Sequence, residues 1–268
     1  MFNIQGKTAI VTGGTGVLGS VMAQGLAEAG VNVVIIGRRK EAGEALVDSF
    51  KKKNLKAKFV QADVLKADDL LRAKDEIEKY FGDADILVNA AGGNMPGAII
   101  TPQQTFFDLN MEEFGKVVDL NLTGTVLPTK IFCEGMARRK KGVIINIASM
   151  SSFRAITRVV GYSAAKSAVM NFTEWLAIEM SKKFGEGIRV NGIAPGFFIT
   201  EQNRNLLTNP DGTYTERGQN AINSTPFNRF GQPDELVGTL IWLCSDASKF
   251  VTGVTVPVDG GFNVFCGV

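Results

Sequence analysis

Tyr162 and Lys166 stand four residues apart in the stretch YSAAK, in a chain of 268 residues that contains no histidine. That spacing puts both side chains on one face of a helix, one turn apart. Each titrates near about 10 when unperturbed, so neither alone suits proton transfer near neutrality. An ammonium beside a phenol favours the phenolate and lowers the tyrosine pKa. Together they form a candidate general acid–base in a protein without the imidazole that usually fills this role. Ser149 ends the run GVIINIAS. Its hydroxyl would reach the same region and could hold a carbonyl oxygen while charge develops there. A tyrosine and a lysine at this spacing are by themselves common helix-surface chemistry, so the elements that position them decide.

Those elements alternate. Short β-branched runs at 8–13, 32–37, 57–63, 85–92, 142–149, 188–196 and 255–261 are separated by helix-length segments. The pattern predicts βαβ units with right-handed crossovers. The expected fold is α/β: one doubly wound domain spanning 1–268, a seven-stranded parallel sheet with helices on both faces. Two stretches break the rhythm, 93–110 and 197–232. Both follow carboxyl ends of strands, where open α/β sheets bind ligands, so the substrate loops are expected there.

The first strand-to-helix turn reads TGGTGVLG. Glycines there permit a tight turn and close approach of backbone to a phosphate, while the amides of the next helix attract the anion. Gly13, Thr15, Gly16, Val17, Leu18 and Gly19 are therefore candidate dinucleotide contacts. The tip of the second strand usually reads the adenosine ribose, an acidic residue favouring NAD. This chain has Gly37-Arg38-Arg39 instead, without a carboxylate. Two guanidiniums could clamp the 2′-phosphate of NADP, or face solvent. Asp63, followed by Val64, is placed either to accept from an adenine amino group or to cap the next helix.

Composition excludes several other classes. The chain is 45% hydrophobic and 21% charged, with net charge +2. Its densest basic run, RRKK at 138–141, reads as a solvated helix end. No nucleic-acid partner is expected. No apolar run approaches the roughly 18 residues of a membrane span, and no signal peptide precedes the first strand pattern, so a cytoplasmic protein without a membrane partner is expected. Cys133, Cys244 and Cys266 are too scattered for a metal site or a disulfide framework, and no metal is expected.

With Ser149, YSAAK and the glycine loop together, the chain resembles the short-chain dehydrogenase/reductase family over its whole length. Asp63, NAAG at 89–92, Asn121 in NLTG and PGFFIT at 195–200 carry the resemblance further. It implies a Rossmann-type enzyme that uses NAD or NADP, with Tyr162 as general acid/base. Lys166 would lower the tyrosine pKa and bind the nicotinamide ribose, while Ser149 would position the substrate carbonyl. Asn121 would hold a water in the proton relay. Pro195, Gly196 and Thr200 would contact the nicotinamide, and Asn89, Ala90, Ala91 and Gly92 would lie beside the cofactor at the sheet centre. It also implies a homotetramer joined through the 111–139 and 161–184 helices and the C-terminal strand. Two departures stand out: Val17 occupies a usual glycine position, with Gly16 beside it, and Ala90 replaces a usual asparagine.

The loops 92–99 and 194–236 and the C-terminal segment are similar to those of one group within that family, the D-mannonate oxidoreductases of the short-chain type, or fructuronate reductases. That group implies a sugar-acid substrate, a keto-hexuronate reduced to a hexonate, and NAD. Such a substrate needs amides and a cation. Asn94, Gln202 and Asn203 are the amide candidates, with Arg154, Arg158 and Arg204 the cations. Phe197, Phe198 and Phe227 would pack the second loop onto the core. A gluconate 5-dehydrogenase, a 3-oxoacyl-thioester reductase and a non-catalytic dinucleotide sensor stay open as alternatives.

Overall fold

The computed structural model describes residues 1–201 and 203–267. The β-branched runs form β1 (Thr8–Thr12), β2 (Asn32–Gly37), β3 (Ala57–Gln61), β4 (Ile86–Asn89), β5 (Gly142–Ile147), β6 (Ile188–Pro195) and β7 (Thr255–Val258). All pair in parallel, in the order β3-β2-β1-β4-β5-β6-β7. Most strands end one to three residues before the apolar runs do. The carboxyl ends of those runs leave the ladder and turn into the loops that face the ligand edge.

Successive residues of a strand feed opposite cores. Ala9 and Val11 of β1, with Val33 and Ile35 of β2, pack against α1 (Val17–Glu28), the following α2 (Lys40–Lys52) and α9 (Glu235–Cys244). Ile10, Val34 and Ile36 pack on the other face against α3 (Ala67–Phe81), α5 (Gly124–Arg139) and α6 (Val160–Phe184). Each fully buried valine or isoleucine contributes about 1.5–3 kcal/mol. Burial on both faces explains why the strands read as continuous apolar runs.

Across the sheet centre runs a polar ladder that ties α6 down. Asn89 of β4 donates to Thr129 of α5 (2.8 Å) and to its register partner Asn146 of β5 (2.9 Å). Asn146 in turn donates to Thr173 of α6 at 2.9 Å. Buried polar side chains need such partners, and these bonds hold the helix that carries Tyr162 and Lys166 in register with β5.

The irregular stretches contain more structure than expected. The first holds two single 3-10 turns, Pro96–Ala98 and Phe106–Asp108, the second closed by a capping box between Thr105 and Asp108. The helix expected at 111–139 is broken: α4 (Met111–Val118) passes through a π-helical turn, Asp119–Thr123, before α5 begins. The second long stretch folds into α7 (Arg204–Leu207) and α8 (Glu216–Asn223), the latter N-capped by Thr215, which accepts from Gly218 N at 3.0 Å. The 138–141 run ends α5 as expected, and Arg139 additionally pairs with Asp83 (3.1 Å) and Asp85 (3.0 Å). Among the described residues, no helix is long and apolar enough to cross a membrane.

Candidate active site

A cleft of about 650 Å³ opens along the carboxyl ends of the strands. It includes the crevice between β1 and β4, where the direction of strand order reverses. Gly13, Thr15, Gly16, Val17, Leu18 and Gly19 all line it. Gly13 has φ +62°, and a Cβ there would lie 2.6 Å from Ala91 Cα. A Cβ on Gly19 would collide with the Gly13 carbonyl oxygen. Only glycine suits these two positions. Gly16 is the N-cap of α1, with no side chain capping the helix, and Val17 is its first residue. The valine therefore fits where the family pattern has glycine, because the two sterically obligatory glycines are Gly13 and Gly19. A bare helix start beside two backbone constrictions fits a pyrophosphate.

At the adenosine end Arg38, Arg39, Asp63 and Val64 line the cleft. Arg38 and Arg39 are exposed. Arg39 donates to the Thr15 carbonyl at 2.8 Å and approaches Glu201 at 3.9 Å, so it bridges the glycine loop and the stretch after β6. Asp63 Oδ1 accepts from Leu65 N at 3.0 Å, a turn-capping role compatible with a second acceptor oxygen facing a ligand. Ala90, Ala91 and Gly92 also line the cleft; Asn89 does not. Asn89 points into the buried ladder beneath, so its expected cofactor contact is corrected to support of the sheet.

Ser149, Tyr162 and Lys166 meet in this cleft. Ser149 Oγ hydrogen-bonds the Tyr162 side chain and accepts from Ser151 N at 3.2 Å. Lys166 is buried, donates to the Ile147 carbonyl at 2.7 Å, and lies 5.7 Å from the Tyr162 ring centroid. Burial pushes the Lys166 ammonium down to about 8. Burial also raises the Tyr162 phenol, partly countered by the Ser149 hydrogen bond. The expected lowering of the tyrosine is thus absent from the protein alone: desolvation outweighs the Ser149 hydrogen bond. Phenol, hydroxyl and ammonium remain placed to pass a proton to one bound oxygen.

Asn121 lies in the π-helical turn and is fully buried. Its Oδ1 accepts from Gly93 N at 3.1 Å, and its Nδ2 donates to Gly93 O at 2.7 Å and Val117 O at 2.8 Å. The side chain is spent on the backbone of the loop after β4 and of α4, outside the cleft lining. Its side-chain amide therefore positions Gly93 and its neighbours.

Pro195, Gly196 and Thr200 line the cleft; a Cβ on Gly196 would sit 2.6 Å from Asp259 Cα. The substrate candidates divide. Asn94 lines the cleft, with Oδ1 turned back to Met95 N at 3.0 Å. Asn203 also lines it, but Oδ1 accepts from Thr200 N (2.7 Å) and Nδ2 donates to Phe198 O (2.8 Å), so its amide shapes its own turn. Gln202 lies outside the described residues. Neither Arg158 nor Arg204 lines the cleft, and Arg154 bonds the C-terminal segment at Asn263 and Phe265, both at 3.4 Å. A different arginine lies there. Arg217 of α8 reaches the cleft. Nothing in the spacing singled it out, because which arginine of a long irregular stretch turns inward depends on how α7 and α8 fold back. Of the three phenylalanines, Phe198 is buried and Phe197 stacks edge-on to Phe262 at 5.1 Å, whereas Phe227 is 70% exposed and packs no lid.

A model of the short chain dehydrogenase family matches residues 7–211. The chain belongs to that family. It is 46% identical to UxuB of Bacillus subtilis (strain 168), an uncharacterised oxidoreductase, across 99% of this chain and 98% of the relative. Among solved structures it superposes at TM-score 0.92 on a provisionally assigned D-mannonate oxidoreductase from Haemophilus influenza with bound NAD. That pair shares 39% identity, covering 99% of this chain and 98% of the other. A gluconate 5-dehydrogenase from Burkholderia cenocepacia J2315 in complex with NADP and tartrate matches at TM-score 0.87 and 34% identity, covering 97% and 96%. The chain is thus an NAD(P)-dependent oxidoreductase acting on a CH–OH group, with sugar-acid dehydrogenases among its relatives.

Proposed function

We propose that this enzyme interconverts a keto-hexuronate and a hexonate, D-fructuronate and D-mannonate. The observation that carries this reading is the company kept by Ser149 and Tyr162: their cleft also holds Asn94 and the guanidinium of Arg217. A polyol bearing a carboxylate calls for such donors. The likeness to the D-mannonate oxidoreductase structure over nearly all of both chains supports the same substrate class.

The bound nicotinamide supplies or accepts the hydride. Every other demand falls on the chain. In reduction, Ser149 Oγ holds the substrate carbonyl oxygen and Tyr162 Oη gives it a proton as the carbon is reduced. The Lys166 ammonium, fixed by the Ile147 carbonyl, stabilises the phenolate left behind. In oxidation the same groups run in reverse.

The reading extends to a homotetramer in the cytoplasm. Trp175 and Ile178 of α6 are each 57% exposed, and Phe250 and Val264 near β7 are also open, which suits burial between copies. Buried free thiols at Cys133 and Cys244 suit a reducing compartment.

The test is cofactor oxidation by purified protein with D-fructuronate, 5-keto-D-gluconate and an acetoacetyl thioester, each with NADH and NADPH. Turnover of fructuronate in preference to the others is expected. Preference for 5-keto-gluconate would shift the enzyme to gluconate chemistry, and preference for the thioester would remove it from sugar acids.

A further inference from the structure

Arg217 differs from Arg39, which also lines the cleft, in its surroundings. Its two Nη groups donate to Thr157 Oγ1 and to the Thr157 carbonyl, both at 3.2 Å. Thr157 lies just ahead of α6, so the guanidinium is braced against the segment that leads to Tyr162. Arg39, Arg72, Arg138, Arg139 and Arg229 each have a carboxylate partner. Among the described residues Arg217 forms no ion pair, and its charged neighbour is a second cation, Arg158. Burial and that neighbour hold its guanidinium below the usual arginine range. Glu201, an acidic residue of the same cleft, is turned to Arg39 instead.

Arg158 is held in place despite strain. It adopts φ +74°, a left-handed conformation costly for a residue with a side chain, and its carbonyl accepts from Ile100 N at 3.0 Å. Two adjacent guanidiniums without an anion are electrostatically unfavourable, and a bound carboxylate relieves that repulsion. Two of the five N–H donors of Arg217 are engaged with Thr157. The rest suit a carboxylate oxygen.

We propose that Arg217 selects substrates by their carboxylate, binding it in the cleft opposite the carbonyl end held by Ser149 and Tyr162, with Arg158 adding positive potential from behind. The proposal rests on the sugar-acid reading and goes further by assigning the anion's partner to α8.

The experiment is calorimetric titration of NADH-loaded protein, which cannot oxidise a hexonate, with D-mannonate, D-gluconate and the uncharged D-mannitol. The unsubstituted protein, Arg217→Met and Arg217→Lys are compared, with NADH affinity measured separately. Loss of a charge-assisted bond predicts about 10- to 100-fold weaker hexonate binding in Arg217→Met, with partial recovery in Arg217→Lys. Mannitol and NADH affinities are expected to change far less. A hexonate affinity unaltered in Arg217→Met, an equal loss for hexonate and mannitol, or no hexonate binding by the unsubstituted protein would overturn the assignment. Gluconate bound in preference to mannonate, and lost in Arg217→Met, would sink the fructuronate reading while upholding Arg217.

Discussion

Replacing Asn121 by leucine isolates what the buried amide does for the cleft. Leucine has the same branching at Cγ and is the larger side chain, so no cavity opens, but it can make none of the three hydrogen bonds to Gly93 N, Gly93 O and Val117 O. Gly93 is buried, so its amide and carbonyl lose their amide partner in a place poorly reached by water. Leaving a buried backbone group unpaired costs about 1–3 kcal/mol, so the two Gly93 groups together predict a loss of about 2–6 kcal/mol. The assay is equilibrium urea unfolding at fixed protein concentration, where the midpoint should fall with the slope unchanged. Because Gly92, Gly93, Asn94 and Met95 line the cleft, turnover at saturating cofactor should fall as well. Asn121→Asp should be at least as damaging, since it keeps an acceptor for Gly93 N yet sets a charge against two carbonyls. A loss under about 1 kcal/mol in Asn121→Leu, the net worth of one ordinary hydrogen bond, would refute the positioning role.

Two further outcomes follow from the site. Replacing Arg38 and Arg39 together with alanine should weaken NADPH binding more than NADH, read by fluorescence titration; equal losses would mean neither guanidinium reads the 2′-phosphate. Lys166 holds its proton below about 8 and loses it above, while burial keeps the Tyr162 phenol protonated. At saturating NADH, kcat/KM for ketone reduction should therefore be full at lower pH and fall as pH rises through about 8, whereas a profile flat to high pH would show that the ammonium is not required.

The sheet was legible because strands buried on both faces must be apolar along their length, as in NVVIIG and GVIINI. The proton-transfer pair was legible for a similar reason: a helix repeats about every 3.6 residues, so four-residue spacing sets Tyr162 and Lys166 together without knowledge of the rest. Contacts made at a distance were hidden. That Asn89 faces inward depends on the register of β4 with β5, and that Asn121 grips Gly93 depends on a π-helical turn that no local pattern announced. The arginines show the same limit. Arg158 lies one turn before Tyr162 in number, yet the helix begins at Val160, so the one-turn relation does not carry it into the cleft. Arg217 arrives there because Thr215 starts a short helix inside a stretch otherwise full of turn residues. The tyrosine pKa is a further case: spacing brought the ammonium close, but only the depth of burial decides which effect prevails.

The most direct test of the account is single-turnover reduction of D-fructuronate by NADH-loaded Tyr162→Phe, alongside NADH affinity. Phenylalanine keeps the ring and its packing and removes only the proton donor and its bond to Ser149. The account predicts nearly unchanged NADH binding and a rate lower by about 10²- to 10⁴-fold, the usual contribution of a general acid. A rate close to that of the unsubstituted enzyme would mean that the proton comes from elsewhere, and the role given to Tyr162 would be wrong.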